Sequence, residues 1–409
     1  LRRGRGGLRT KPHNGAMSPL PPLVSPAAEL SREELRRYSR HLLIPDVGVL
    51  GQRRLKNARV LVIGAGGLGS PTLLYLAAAG IGTLGIVEFD VVEESNLQRQ
   101  IIHGSSDIGR PKAHSARDSL AEINPFVAVA LHEFRLTADN AVALFADYDL
   151  IIDGTDNFAT RYLVNDAAVL ARKPSVWGAI HQFAGQVSVF WEHAPQGPDG
   201  QPRGLNYRDL YPEPPPGAVP SCAEAGVLGI VCASVAAVMA TEAIKLITGI
   251  GETLLGRLLI YDALAMSHTT IEIRKDPTAP TITGLIDYDA FCAAGPDVPA
   301  PSGATITASE LGELMRSGAA ITLIDVREPT EWDINRISGA VLIPKAAIDS
   351  GAALAGLPRD AVAVLYCKTG VRSAQALTTL HRAGFPDAVH LEGGIVAWAR
   401  QFEPDMAMY

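Results

Sequence analysis

Cysteine is scarce in this chain. Cys222, Cys232, Cys292 and Cys367 are the only four, and no two stand as a Cys-x-x-Cys pair. Scattered thiols exclude a disulfide framework and a four-cysteine zinc knot, and they fit a reducing, cytoplasmic setting. A basic surplus is also missing: the formal net charge is −7, which argues against a nucleic-acid binder. A membrane span is not expected in the most apolar stretch, which has only fifteen residues. The most apolar stretch, 227–241, is followed at once by Glu242 and Lys245, so a buried core helix is expected there. The first sixteen residues hold five Lys or Arg and no acid, yet no apolar core of signal-peptide type follows. Residues 1–30 are expected to be a disordered extension, with Met17 a candidate natural start.

What is present is globular. The 409 residues are 47% hydrophobic and 19% charged, enough for two or three domains. A helical lead-in over 31–57 carries Arg36, Arg37 and Arg40. An α/β region continues to residue 292. Residues 293–304 are rich in Ala, Pro and Gly and are expected to be a linker. Residues 305–409 have the size of one small domain. Strands are expected at 59–63, 84–89, 150–153, 175–178, 186–191 and 258–261, and in the tail at 321–326, 340–343 and 363–366, with a helix over 373–383. Alternating strands and helices predict an α/β fold, a doubly wound, mostly parallel sheet followed by a small α/β domain.

Gly64-Ala-Gly66-Gly67-Leu-Gly69 joins a strand to a helix, which Ser70 can cap and Pro71 can open. Such a turn places a phosphate or pyrophosphate at a helix N-terminus, in a Rossmann-like manner. Glu88 ends the next strand, where a ribose hydroxyl is held. Taken alone, these features also suit NAD. Further residues favour a nucleoside triphosphate. Ser95-Asn96-Leu97-Gln98-Arg99-Gln100, Lys112 and Asp153-Gly-Thr-Asp156-Asn157 follow. Attack at an α-phosphorus needs cations such as Arg99 and Lys112 and a Mg²⁺ ligand such as Asp156. Each alone is more often a surface charge; three beside a glycine turn are not.

These motifs, with Pro220-Ser-Cys222-Ala-Glu-Ala-Gly226, resemble the MoeB and ThiF adenylating enzymes, relatives of ubiquitin-activating enzymes, over residues 31–292. The resemblance implies adenylation of the C-terminal glycine of a ubiquitin-like sulfur-carrier protein ending in Gly-Gly. It implies that Gly66, Gly67, Glu88, Ser95, Asn96, Leu97, Gln98, Arg99, Lys112, Asp156 and Asn157 bind ATP and Mg²⁺. Arg40 matches an arginine lent to the partner subunit's site, which implies a homodimer. Cys222 matches a cysteine on a mobile crossover loop and would form an acyl thioester or acyl disulfide with the carrier. One departure stands out. Members of this group hold zinc with two Cys-x-x-Cys pairs, and here those positions are Asn206 and Asp209, then Ala279 and Ile282. Alanine and isoleucine cannot ligate zinc, so none is expected.

Cys367-Lys-Thr-Gly-Val-Arg372 lies between an apolar strand and a helix. Converging N–H groups, the helix dipole and Arg372 are expected to stabilise a thiolate. With Asp325-Val-Arg327-Glu328, Glu331-Trp332-Asp333 and Gly393-Gly394-Ile-x-x-Trp398, the loop resembles a rhodanese domain over 305–409. That resemblance implies a persulfide on Cys367. Related phosphatases have a loop one residue longer, large enough for phosphate. Asp325 and Arg327 are candidates for catalysis, but an Asp–Arg pair at a strand end more often anchors loops, and Gly393-Gly394-x-x-x-Trp398 is read as a turn with a packed aromatic.

Together the halves resemble MoeZ-type adenylyltransferase/sulfurtransferases. The implied sequence is ATP-dependent activation of the carrier, then sulfur transfer from the persulfide to give a carrier thiocarboxylate. Molybdopterin, cysteine or thiamine pathways are the implied clients, and thiosulfate or a cysteine desulfurase the implied donor. Two alternatives stay open: a nicotinamide-dependent oxidoreductase with a sulfurtransferase tail, and a carrier-binding scaffold without catalysis.

Overall fold

A computed structural model describes residues 20–197, 200–215, 226–293, 304–359 and 361–408. Its contacts divide into two compact units, Leu1–Gly295 and Pro296–Tyr409. Cys222 and residues 294–303 of the expected linker lie outside the described residues, as do residues 1–19.

The larger unit is built on one eight-stranded sheet. Its strands are β1 (Arg59–Ile63), β2 (Thr83–Val87), β3 (Ala128–His132), β4 (Leu150–Asp153), β5 (Ser175–His181), β6 (Ala184–Phe190), β7 (Arg257–Asp262) and β8 (Ser267–Glu272), in the order β3-β2-β1-β4-β5-β6-β7-β8. Neighbours from β3 to β5 pair in parallel, and β6 to β8 add antiparallel ribbons. The central strands show why. Val60, Leu61, Val62 and Ile63, and Leu150, Ile151 and Ile152, are all buried. Continuous apolar strands of this kind need cover on both faces, which the crossover helices supply. Helix Gly229–Thr248 packs on helices Gly48–Asn57 and Gly69–Ala79 and on β5 and β6. Val231, Val235, Met239, Ala243 and Ile247 form its buried stripe. It is long and apolar enough to cross a membrane by composition, yet much of it is buried inside the fold, as a core helix requires.

The structure corrects one sequence expectation and adds detail to two others. Residues 20–30 are not a disordered extension: Leu20 and Val24 are buried in the main core, Leu23 N donates to Leu246 O (2.9 Å), and Ala27 N donates to Arg53 O (2.9 Å). The proline-rich run looked unstructured because its few apolar side chains are covered only by distant helices. The edge strands β3 and β8 also escaped the sequence pattern, because β8 is exposed along its whole length and shows no alternation. The lead-in is three short helices, Arg32–Arg37, Ser39–Leu42 and Gly48–Asn57.

The smaller unit has a five-stranded parallel sheet of β9 (Thr305–Ile306), β10 (Ile321–Asp325), β11 (Val341–Leu342), β12 (Val362–Tyr366) and β13 (Val389–Leu391), ordered β11-β10-β12-β13-β9. Ala363, Val364, Leu365 and Tyr366 are buried on both faces of the central β12. Burying a large aliphatic side chain contributes about 1.5–3 kcal/mol, so the chain leaving β12 starts from a firm base. That chain is the Cys367 loop.

Candidate functional site

The glycine turn lies at the C-terminal ends of β1 and β2. Gly64 has φ +89°, and a Cβ on Gly69 would sit 1.9 Å from Gly64 O, so both positions require glycine. This close approach brings helix Gly69–Ala79 onto the turn. Glu88, at the end of β2, accepts from three backbone amides: Ala65 N (3.0 Å), Phe89 N (2.9 Å) and Asp90 N (3.0 Å). Its carboxylate is thereby fixed at the pocket wall. Burial pushes the nearby Asp153 carboxyl up, against hydrogen bonds from Thr155. The same cause pulls His103 down; its ring lies 2.8 Å from Ser115 Oγ.

The cavity in front of the turn has a volume of about 640 Å³. Gly66, Gly67, Glu88, Arg99, Lys112, Asp156 and Asn157 all line it, as the sequence predicts. Lys112 opens helix Lys112–Ile123, is buried, and lies 3.3 Å from Asp90 Oδ2. Arg99 Nη1 donates to Ser95 O (3.0 Å). Asn157 caps helix Phe158–Leu170 by accepting from Thr160 N (2.9 Å), which points the helix N-terminus at the cavity beside Asp156. The other named residues do not line it. Ser95, Leu97 and Gln98 stand outside, and Asn96 Oδ1 instead accepts from Glu93 N (3.2 Å). Arg40 is exposed and is not among the cavity residues of its own chain. Gln100, Arg161, Arg135, Asp289 and Cys292 line the cavity without having been singled out as ligands. Only Gln100 had a local signal, as the end of the segment holding Arg99.

The positions where the resemblance implies zinc cysteines hold a cluster of hydrogen bonds and ion pairs. Asn206 Nδ2 donates to Glu192 Oε2 (2.7 Å), and Lys275 Nζ reaches both Glu192 Oε2 (2.6 Å) and Asp209 Oδ2 (3.2 Å). Asp276 N donates to Asp209 Oδ1 (3.3 Å). Ala279 and Ile282 lie beside this knot, around a cavity of about 520 Å³.

In the smaller unit, Cys367 follows β12 and is 1% exposed. Gly370 N donates to its Sγ (3.2 Å), and Ser373 Oγ lies 3.6 Å from Sγ. The loop is clamped from behind: Ile395 N donates to Cys367 O (2.9 Å) and Val396 N to Lys368 O (3.2 Å). A Cβ on Gly394 would lie 2.4 Å from Cys367 O, so the Gly393-Gly394 turn is what lets helix Gly394–Phe402 approach the loop. Arg372 forms two 2.7 Å hydrogen bonds to the Glu331 carboxylate. His390 lies 3.5 Å from Ser373 Oγ, and burial lowers its pKa. Asp325 and Arg327, both fully buried, bond each other, and Arg327 also donates to Asn335 Oδ1 (2.8 Å), as in an anchoring pair.

Comparison with known proteins finds two family matches. Residues 38–281 match the ThiF family, and residues 307–401 match the rhodanese-like domain. A probable adenylyltransferase/sulfurtransferase MoeZ of Mycobacterium tuberculosis (strain H37Rv) is 70% identical over 95% of this chain and 99% of its own length. A sulfur carrier protein adenylyltransferase of Thermus thermophilus is 52% identical over 64% of this chain and 98% of its own length. The adenylyltransferase and sulfurtransferase MOCS3 of Drosophila ananassae is 39% identical over 93% of this chain and 87% of its own. Among solved structures, E. coli MccB with MccA-N7isoASN has a TM-score of 0.53 at 21% identity, covering 61% of this chain and 74% of that one, a likeness of fold. The chain belongs to the ThiF family, and the rhodanese-like domain after it makes it one of the two-domain adenylyltransferase/sulfurtransferases.

Proposed function

We propose that the larger unit adenylates the C-terminal carboxylate of a ubiquitin-like carrier protein ending in Gly-Gly, and that the smaller unit supplies sulfur to it. One observation carries the first half. Arg99, Lys112 and Asp156 share a single cavity with the glycine turn and Glu88. The carrier carboxylate attacks the α-phosphorus of ATP, forming an acyl-adenylate and releasing pyrophosphate. Lys112 and Arg99 stabilise the charge that builds on the phosphate oxygens. Asp156, an exposed carboxylate on the cavity wall, suits Mg²⁺, which commonly takes one or two protein carboxylates plus phosphate oxygens and water. When bound, that ion would supply further charge neutralisation.

The second half rests on the Cys367 cradle. The terminal sulfur of a Cys367 persulfide attacks the acyl carbon, AMP leaves, and an acyl disulfide forms. A second thiolate, that of Cys222 or another thiol, attacks Cys367 Sγ. The carrier thiocarboxylate is the leaving group, and the disulfide left on Cys367 is opened by a thiol reductant. Thiosulfate or a desulfurase persulfide reloads Cys367. A homodimer, with Arg40 serving the partner's site, belongs to this reading. It is supported by the helix layer of Gly48–Asn57, Gly69–Ala79 and Gly229–Thr248, which leaves Val49, Leu50, Tyr75 and Ile230 exposed.

Carrier-dependent exchange of labelled pyrophosphate into ATP tests the reading. Exchange is expected with carriers ending in Gly-Gly, and its absence with every such carrier overturns it. A nicotinamide enzyme would bind NAD and show no exchange.

A further inference from the structure

The short helix Tyr288–Ala293 lies beyond the residues that match the ThiF family, which end at 281. It is nevertheless part of the nucleotide cavity: Asp289 and Cys292, one turn apart, both line it. The helix is firmly held. Tyr288 is buried and its hydroxyl donates to Asp166 Oδ2 (2.8 Å). Asp166 is in turn paired with Arg208 through Nη2 (2.8 Å) and Nε (3.0 Å). Phe291 meets Tyr162 edge-on at 5.2 Å, and the Arg208 guanidinium lies 4.9 Å from both ring centres. Tyr162 and Asp166 sit on helix Phe158–Leu170, which follows β4. On its other side the helix reaches Arg135, after β3: Asp289 Oδ2 lies 3.4 Å from Arg135 Nη2.

Strands β3 and β4 flank β2 and β1 in the sheet, so the helix bridges the cavity from the β4 side to the β3 side. The phosphates belong at the glycine turn and the ribose at Glu88. The base therefore lies further along, toward β3, where Arg135 and Leu136 line the wall. The Arg135–Asp289 pair is largely exposed, with side-chain exposures of 67% and 73%. Such a pair adds little to folding, and its place on the rim suits a ligand instead.

We infer that helix Tyr288–Ala293 is a strap across the nucleoside end of the ATP site, and that its Asp289, together with Arg135 after β3, positions the bound nucleotide. The inference rests on the adenylation reading for the identity of the nucleotide. Asp289 offers only acceptors and Arg135 only donors, so together they satisfy the polar edge of a base or ribose without touching the triphosphate. Both are positioning residues, distinct from Arg99 and Lys112 at the reacting phosphorus.

The test uses the full chain. In carrier-dependent exchange, Asp289→Ala and Arg135→Ala should each raise the KM for ATP roughly three- to tenfold, the worth of one hydrogen bond, with kcat within about twofold. Unchanged KM in both variants overturns the inference while leaving wild-type exchange, and hence the adenylation reading, intact. A second readout needs no catalysis. Cys292 is half-buried on the same helix face, its thiol held above the ordinary value by burial and by Asp289. Alkylation by N-ethylmaleimide, followed by mass spectrometry of the Cys292 peptide, should slow several-fold with saturating MgATP and no carrier. Labelling indifferent to MgATP overturns the strap even if exchange is robust.

Discussion

Lys275 Nζ lies 2.6 Å from Glu192 Oε2 and joins two segments far apart in sequence, one following β6 and one following β8. The same ammonium reaches Asp209, whose side chain has no exposure. Here an ammonium stands among carboxylates, where the family resemblance would have suggested zinc. Lys275→Met should leave the Asp209 carboxylate buried without that partner, costing about 1–2 kcal/mol. Thermal unfolding of the larger unit should fall by roughly 2–6 °C, and added zinc should not restore it. A metal-dependent recovery would show that the knot is not the closure.

The same contact has a pH signature. Burial raises the Glu192 carboxyl, but hydrogen bonds from Lys275 and Asn206 outweigh it, and the net position is below the ordinary value of 4.5. A carboxyl held low in the folded state adds stability above its unfolded pKa and loses it as pH falls through the folded one. The stability gap between wild type and Lys275→Met should therefore be constant near neutrality and narrow below about pH 4.5. A gap that widens toward acid, measured by denaturant titration at several pH values, would falsify this assignment.

Glu331 is the second place where a distant partner decides the geometry. Its carboxylate takes Arg372 in a bidentate pair across 41 positions of sequence, which fixes the guanidinium at the start of the helix after the sulfur loop. Glu331→Gln should lower sulfur transfer from thiosulfate to cyanide by roughly ten- to a hundredfold, the scale of a misplaced reacting group. ATP–pyrophosphate exchange should not change. Full sulfurtransferase activity in this variant would mean that the pair is ornamental.

Much of this was legible locally. The glycine turn, Glu88, Lys112 and Asp156 are close enough to one strand end each that sequence position implies place. Strands β1, β4 and β12 were equally plain, because continuous apolar runs admit few alternatives. What was hidden depends on pairings across long separations. Arg135 and Asp289 stand 154 positions apart and meet only once helix Tyr288–Ala293 docks on helix Phe158–Leu170. The Glu331 carboxylate that holds Arg372 was hidden because it belongs to another segment, 41 positions earlier. Leu20 and Val24 sat in a proline-rich run whose cover comes from residues more than two hundred positions later. Ser95 and Asn96 read as nucleotide ligands by motif, and the local turn in which Asn96 Oδ1 accepts from Glu93 N was not visible in that motif.

Asp325 and Arg327 give a stability prediction confined to the smaller unit. Both side chains are fully buried, and Arg327 also donates to Asn335 Oδ1 (2.8 Å) and Asn335 O (2.8 Å). Removing one partner strands a buried charge, so Asp325→Ala should destabilise this unit by about 3–5 kcal/mol. The double change Asp325→Leu with Arg327→Met should cost less than Asp325→Ala alone, since no charge is left behind. Calorimetry of the full chain separates the cases: the transition of the smaller unit should move and that of the larger should stay. Equal movement of both transitions would count against an anchor local to the smaller unit.

The two chemistries should come apart cleanly at Lys112 and Cys367. Lys112 lines the nucleotide cavity, and Cys367 sits in a loop fixed by Gly370 N, Ile395 N and Val396 N. Lys112→Ala should cut carrier-dependent exchange by roughly a hundred- to a thousandfold, the loss expected when one stabilising charge is removed from a developing anion. Its thiosulfate sulfurtransferase activity should stay at wild-type level. Cys367→Ala should do the reverse, keeping exchange and abolishing sulfur transfer, because no other group in that loop can carry a persulfide. Mass spectrometry of the carrier reads the coupled reaction: wild type should replace one carrier oxygen by sulfur, and neither variant should. A Cys367→Ala protein that still delivers thiocarboxylate would place the sulfur donor elsewhere and sever the link between the two units.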